Sequence, residues 1–301
     1  MADLKQFRGS GHLLITLLCL LIAGPALSEK LPLWELETSA NRVLVMGSVH
    51  FLRASDYPLP EGLDEAYEIA DTLVMEIRLD ELDPIATQAV LMRMGTSQSG
   101  KTLADLIGGD AYREATNRAN QVGIPLAMFG QFEPWFAALS ISQMRMLQLG
   151  FDPSWGVEMQ LGEKAAQDGK QIIGLETLEE QLGFMDRLDA DTQRDFLLQS
   201  LEDAASIEDE VDLIVRSWRT GDTDTLEELL LEGFAENAPL YDSLLVQRNR
   251  NWVKQIRAFS HEADNYLIVV GAMHLVGDKS VLSMLADAGI GSRQLSSADM
   301  R

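Results

Sequence analysis

The stretch that decides the fold is Asn265-Tyr-Leu-Ile-Val-Val-Gly-Ala-Met-His-Leu-Val-Gly277. Tyr266 to Val270 has the length and the β-branched content of a buried strand. The apolar run stops at Gly271, and His274 stands three residues later. The same pattern occurs far upstream, where Val43-Leu-Val-Met46 is followed by Gly47 and then His50. In an open α/β sheet, a polar residue just past the C-terminal end of a strand lies where ligands bind. A glycine there either lets the chain turn sharply or lets the backbone approach something closely. Two such units predict a sheet edge on which His50 and His274 meet.

Working outward, short apolar runs at 33–37 and 42–46 predict a hairpin leading into the first Gly-x-x-His. A Pro-rich loop, 53–60, precedes an amphipathic helix over 61–70 with Leu63, Ala66, Tyr67 and Ala70 at helical spacing. Residues 72–75 predict a strand ending at Glu76. Strand, helix and strand in that order predict a right-handed crossover between parallel neighbours, with Glu76 on the same edge as His50. Helices are predicted over 84–94, 102–106, 111–122, 134–149 and 157–167, and a short strand over 124–129. Residues 171–175 predict another strand, ending at Glu176. From 178 to about 231 the chain is acidic and helix-periodic, which predicts an inserted helical subdomain covering the sheet. One long helix over 239–259 carries Arg248, Asn249 and Trp252. A last helix over 279–288 and an edge strand over 292–295 close the chain. The fold class is α/β, a mixed central sheet flanked by helices with an inserted helical region, in one domain spanning 29–301.

Residues 1–28 read as a secretory signal peptide. Lys5 and Arg8 precede an apolar run at 13–23, and Ala26-Leu-Ser28 is a small-x-small cleavage site. The run is short for a membrane span, so no stable membrane insertion is expected after cleavage. The expected location is periplasmic or secreted. The single cysteine, Cys19, lies inside this signal, which leaves residues 29–301 without a disulfide, a thiolate metal site or a cysteine nucleophile. The whole chain carries a formal charge of −23. Such a surface is repelled by nucleic acid and by anionic lipid. Nothing in the sequence fixes an oligomeric state.

Three histidines follow the signal: His50, His261 and His274. Two of them share one local pattern. Neutral imidazole is a common ligand for divalent transition metals, and a carboxylate adds harder character. His50, His274 and Glu76 on one edge would give two nitrogens and one carboxylate with positions open for water, a donor set suited to hydrolysis. Each residue also has a plainer reading. The histidines are satisfied structural residues, and Glu76 pairs with Arg78 or Arg53. Glu176 is slightly better read as a charge favouring the N-terminus of the following helix than as a site residue. Arg248 either clamps a carboxylate, holds Glu76 in place, or is a surface arginine among acidic neighbours. Trp135, Trp155, Trp218 and Trp252 read as core, and His261 as an exposed loop residue.

Taken in order, Gly-x-x-His, Pro-Leu-Pro, a strand ending in Glu, Gly174-Leu-Glu-Thr177, Arg248-Asn249 and Gly271-Ala-x-His274-Leu-Val-Gly resemble the TraB/GumN family. That family is related to the animal Tiki metalloproteases, and its fold is similar to that of haem-binding ChaN-like proteins and erythromycin esterases. The resemblance runs from about Val43 to Leu295. It implies a metal-dependent hydrolase of peptide bonds with a two-Gly-x-x-His site and a manganese- or cobalt-like preference. Gly156-Val-Glu158 departs from the expected Gly-Val-Asp. The expected mechanism has His50, Glu76 and His274 holding one divalent ion and Arg248 stabilising an oxyanion. In the same scheme Asn249 adds a hydrogen bond, and Glu176 stands in reserve as general base. A peptide or protein is the expected substrate. Two other classes remain open: a non-catalytic haem- or metal-binding protein, for which Met46 and Met273 adjoin the motifs, and an accessory factor for exported polysaccharide.

Overall fold

Residues 29–301 are described by the computed structural model. The expected signal peptide at 1–28 lies outside the described residues. Among the described residues no helix is long and apolar enough to cross a membrane.

Six strands form one mixed sheet. They are β1 (Lys30–Leu36), β2 (Val43–Ser48), β3 (Thr72–Met75), β4 (Gln171–Gly174), β5 (Tyr266–Gly271) and β6 (Ser292–Ser296). Their spatial order is β4-β3-β5-β2-β1-β6. The hairpin expected at the start is present, β1 antiparallel to β2. The strand near the C-terminus lies antiparallel to β1 at the sheet edge, also as expected. The remaining four strands run parallel.

The crossover expectation needs correcting. β2 and β3 are parallel but are not neighbours, because β5 lies between them and pairs with both. Tyr266, Leu267, Ile268 and Val269 are fully or almost fully buried. A run that apolar on both faces belongs in the middle of a parallel sheet, covered above and below.

The helices are α1 (Leu63–Ile69), α2 (Pro84–Gly95), α3 (Leu103–Ile107), α4 (Gly109–Gln121), α5 (Pro134–Gln148), α6 (Val157–Asp168) and α7 (Leu178–Asp186). They continue as α8 (Ala190–Asp203), α9 (Ile207–Arg219), α10 (Thr223–Gly233), α11 (Ala238–Tyr241), α12 (Gln247–Phe259) and α13 (Val281–Asp287). Alternation along the strands sends Leu44, Met46, Leu73, Met75 and Val269 to one face, under α1, α6, α9 and α10. Val43, Val45, Val74, Ile268 and Val270 go to the other, under α12 and α13. A separate apolar cluster joins α3, α4, α5 and α8 away from the sheet. The acidic stretch 178–231 is helical and divides between these bodies. α8 packs on α4 and α5, whereas Val215, Trp218, Leu226 and Leu230 of α9 and α10 enter the sheet core.

Two expected elements differ. Residues 124–129 form no strand but end in a 3-10 turn, Leu126–Phe129. Pro125 has no N–H to give a ladder, and Ile124, Leu126 and Phe129 instead bury themselves among α4 and α5. The long helix over 239–259 is broken into α11, a π turn at Asp242–Val246, and α12. Trp155 is the one tryptophan of the four outside the core. It is 38% exposed and lies against Tyr57, ring centroids 5.5 Å apart.

Candidate functional site

β5 and β2 pair in register, so that Gly47 lies opposite Val270 and Ser48 opposite Gly271. Both Gly-x-x-His units therefore leave the sheet side by side, in the same direction. On the other flank of β5, Met75 lies opposite Val269, which puts Glu76 at the same edge. The ladder to β4 continues past the strands through Leu175 N to Met75 O at 2.8 Å and Glu176 N to Glu76 O at 2.9 Å. Four adjacent parallel strands thus deliver Glu176, Glu76, His274 and His50, in that order, to their C-terminal ends.

Gly271 marks the centre. A Cβ placed on it would lie 3.4 Å from Glu76 Oε1, 3.4 Å from His50 Nε2 and 3.5 Å from His274 Cδ2. The backbone there is extended (φ −51°, ψ 134°), so close approach and not a left-handed turn explains the glycine. Gly47 answers to a different neighbour: a Cβ there would press on Ala272 Cα and Cβ at 3.2 Å. One glycine lets the two turns pack together, and the other leaves room between the side chains they carry.

Each imidazole is held by its Nδ1. His274 Nδ1 lies 2.6 Å from Asn249 Oδ1, and Asn249 Nδ2 donates to Lys279 O at 2.8 Å. The amide is thereby oriented with its oxygen toward the ring, so the His274 proton sits on Nδ1. His274 is buried, with the Trp252 ring 4.5 Å away between centroids. Burial, helped by the charge of Arg248, pushes its pKa down to about 3, so it stays neutral. His50 Nδ1 lies 2.8 Å from Glu158 Oε1, with the imidazole side chain 56% exposed. The Glu158 carboxylate pulls the His50 pKa up, to about 9.

Glu76 is buried. Its Oε1 accepts from Gly271 N at 2.8 Å, and its Oε2 accepts from Arg248 Nη2 at 2.6 Å and Gln181 Nε2 at 3.1 Å. Burial pushes the carboxyl up, but the charge of Arg248, with that of His50 and the Gly271 N–H after it, outweighs burial and leaves the pKa at about 2. The pairings of Glu76 with Arg78 or Arg53 do not occur. Arg78 goes to Asp80 and Glu81, and Arg53 to Glu208 and Asp212.

Arg248 is neither a surface arginine nor free to meet an oxyanion. Its Nε and Nη2 donate to Glu176 Oε1 at 2.9 and 2.7 Å, Nη2 also to Glu76, and Nη1 to Leu244 O at 3.2 Å. The remaining Nη1 direction meets His274 Nε2 at 3.3 Å. As placed, every N–H of the guanidinium has an acceptor, and Arg248 holds Glu76 in place. Glu176 is likewise committed, to Arg248 and to Trp252 Nε1 at 3.1 Å. Its carboxylate sits in a buried ion pair with Arg248 just ahead of α7. Asn249 is engaged by His274 and by Lys279 O.

Glu158, Gln181 and Trp218 were not among the expected site residues. Glu158 had a signal, the Gly156-Val-Glu departure. Gln181 and Trp218 had none, since α7 and α9 read as outer cover. Trp218 is fully buried and donates Nε1–H to Gly47 O at 2.6 Å, pinning the first Gly-x-x-His turn. Met46 is fully buried in the sheet, and the partly buried Met273 packs on the same core.

Among the described residues, no group of three or more His, Cys, Asp or Glu is arranged to hold a metal ion as placed. The reason is visible at His274, whose Nε2 faces Arg248. The donor chemistry nevertheless fits a divalent cation. Both histidines have Nδ1 tied to a side-chain oxygen, the arrangement that directs Nε2 of metal-ligating histidines toward the ion. His50 Nε2 and Glu76 Oε1 already face one point. A cleft of about 270 Å³ opens there, lined by His50, Glu76 and Glu158 and by apolar Phe51, Met75, Leu79 and Met159. A larger cavity of about 450 Å³ between segments 77–90 and 174–180 reaches Glu176 but neither histidine.

The sequence matches the TraB/PrgY/gumN family over residues 32–294. The chain belongs to the TraB/PrgY/gumN family. Among relatives of this TraB/PrgY/gumN protein, YbaP of Escherichia coli (strain K12), described as uncharacterized, is 25% identical over 242 residues. The alignment covers 80% of this chain and 86% of YbaP. YbaP of Shigella flexneri matches to the same extent. No solved structure matches the chain.

Proposed function

We propose that this TraB/PrgY/gumN protein is an exported, metal-dependent hydrolase that cleaves peptide bonds. The observation that carries the reading is the pair of imidazoles with their Nδ1 atoms tied to Asn249 and Glu158. With the ionised Glu76 they stand at the ends of three adjacent parallel strands, around the space left by Gly271. His50, Glu76 and His274 would hold the ion, manganese- or cobalt-like in preference. Bound there, a divalent ion supplies a Lewis acid and a water acidic enough to attack at neutral pH.

The chain's own residues prepare that site. Arg248 keeps Glu76 ionised and locks its second oxygen, with Gln181 sharing the load. Asn249 fixes the His274 tautomer and keeps its Nε2 lone pair available. His274 Nε2 lies 3.3 Å from Arg248 Nη1, a contact it would give up in holding an ion, while Arg248 would keep Glu76 and Glu176. Phe51, Met75, Leu79 and Met159 line the cleft, suited to an uncharged side chain next to the scissile bond. Export follows from the signal at residues 1–28 and places the substrate outside the cytoplasm.

The test is metal content and peptide-library turnover with added Mn²⁺, for wild type and His274→Ala. The expected result is a folded variant that retains neither metal nor activity. Full turnover by His274→Ala at unchanged metal content would remove His274 from the mechanism.

A further inference from the structure

Glu158 lies outside the three residues that the Gly-x-x-His pattern and the β3 terminus supply, and it is built into the fold with unusual care. It is the second residue of α6 and is 7% exposed. The chain before it is clamped to the His50 turn at several points. Asp152 N donates to Leu52 O at 2.9 Å, and Val157 N donates to Val49 O at 3.2 Å. A Cβ on Gly156 would collide with the His50 carbonyl oxygen. The start of α6 therefore rides directly on the first Gly-x-x-His turn, with its position fixed by backbone contacts.

One oxygen of Glu158 does the contacting. Oε1 takes the Ser48 hydroxyl and lies 2.8 Å from His50 Nδ1. The other, Oε2, is buried and accepts no hydrogen bond. A buried carboxylate with one unpartnered oxygen is a poor structural ion, because the cost of stripping its water is only half answered. It is well placed for one task, holding the N–H of His50. Ser48 holds the carboxylate in turn, and Ser48 lies between Gly47 and His50 in the motif itself.

We infer that Glu158 is the positioning residue of His50, keeping the proton on Nδ1 so that Nε2 is the atom presented to the space beside Gly271. The pair mirrors Asn249 and His274, with a charged partner on the exposed histidine and a neutral one on the buried histidine. The difference suits their surroundings. An imidazole more than half exposed has water competing for its Nδ1–H, and an anionic acceptor holds it more firmly than an amide does. The role rests on His50 serving the centre proposed above, so its test reads His50 without metal as well as with it.

The experiment is long-range ¹H–¹⁵N correlation NMR of the purified, metal-free protein at about pH 10.5, above the raised His50 pKa of about 9, where the imidazole is neutral and one ring nitrogen carries the proton. The His50 signals are assigned by their loss in His50→Gln. In wild type, His50 Nδ1 should carry a proton. In Glu158→Ala that proton should leave Nδ1, while Glu158→Gln, whose carbonyl still accepts, should largely keep it. His274, held by Asn249, should remain protonated at Nδ1 throughout, which reports an intact site. Calorimetric Mn²⁺ affinity should fall about 10- to 100-fold in Glu158→Ala, and less in Glu158→Gln. A wild-type His50 with a bare Nδ1, or a Glu158→Ala protein matching wild type in both NMR and Mn²⁺ affinity, overturns the assignment. A wild type that binds no Mn²⁺ while showing the expected His50 pattern overturns the metal reading instead and leaves the Glu158–His50 pair standing.

Discussion

Gly271 and Gly47 hold equivalent places in the two Gly-x-x-His units, yet their substitution should have opposite consequences. A methyl on Gly271 meets Glu76, His50 and His274 at 3.4–3.5 Å, ordinary contact distances, so Gly271→Ala should fold with a urea midpoint near wild type. The methyl nevertheless fills the point toward which the donors converge, and Mn²⁺ binding and hydrolysis should be lost. On Gly47 the methyl meets the Ala272 backbone at 3.2 Å, where nothing flexible can yield. Gly47→Ala should cost about 1–3 kcal/mol, the usual penalty for overpacking, read from the same urea titration. Equal loss of stability in the two variants would contradict the division of labour. Arg248→Met is a third case. Burying Glu76 and Glu176 without their shared cation should cost about 3–5 kcal/mol, a larger loss than any ligand variant produces.

At the scale of elements, what could be read in the sequence was what each strand does alone. The apolar run, the glycine and the histidine at fixed spacing placed His50 and His274 at strand ends, and the 72–75 run did the same for Glu76. Which strands lie side by side is decided by long-range pairing, so the insertion of β5 between β2 and β3 had no local signature. Hydrogen-bond partners were equally hidden. Arg248 and Asn249 are consecutive and face different ways on α12, but one reaches His274 Nε2 and the other Nδ1, which only the tertiary placement of the ring explains. The π turn before α12 resets the helix register just ahead of Arg248, and periodicity over 239–259 did not betray it. Trp218 is the clearest case of an element reaching into the site from its apparent cover. Trp218→Phe keeps most of the ring but strands the acceptor at Gly47 O. The variant should lose about 1–3 kcal/mol, and Mn²⁺ affinity should weaken with it because the His50 turn is no longer pinned.

At the scale of the molecule, a chain with a formal charge of −23 must place some carboxylates where they repel one another. At the site Arg248 stands between Glu76 and Glu176 and offsets their repulsion, although burial, and after it the Glu76 charge, still push the Glu176 carboxyl up. The junction of α8, α9 and α10 is another such place. There Asp203 is partly buried beside Glu210 and Glu202, and burial followed by those two charges pushes its carboxyl up to about 6. Glu210 is raised in the same way, by burial and then by Glu232. The folded protein therefore binds a proton at Asp203 more tightly than the unfolded chain, whose aspartates titrate near 3.9. Stability should fall as pH rises from about 4 through 6, since the unfolded state binds fewer protons across that window, and the full penalty is present at pH 7. Asp203→Asn removes the charge but keeps the shape. Because the group is about half exposed and screened by solvent, the gain should be about 1 kcal/mol at pH 7, shrinking to nothing near pH 4. Urea unfolding of both proteins across that range measures it. A gain that does not change with pH would assign the effect to packing and not to the charge, and a loss at pH 7 would show that the ionised Asp203 has a partner.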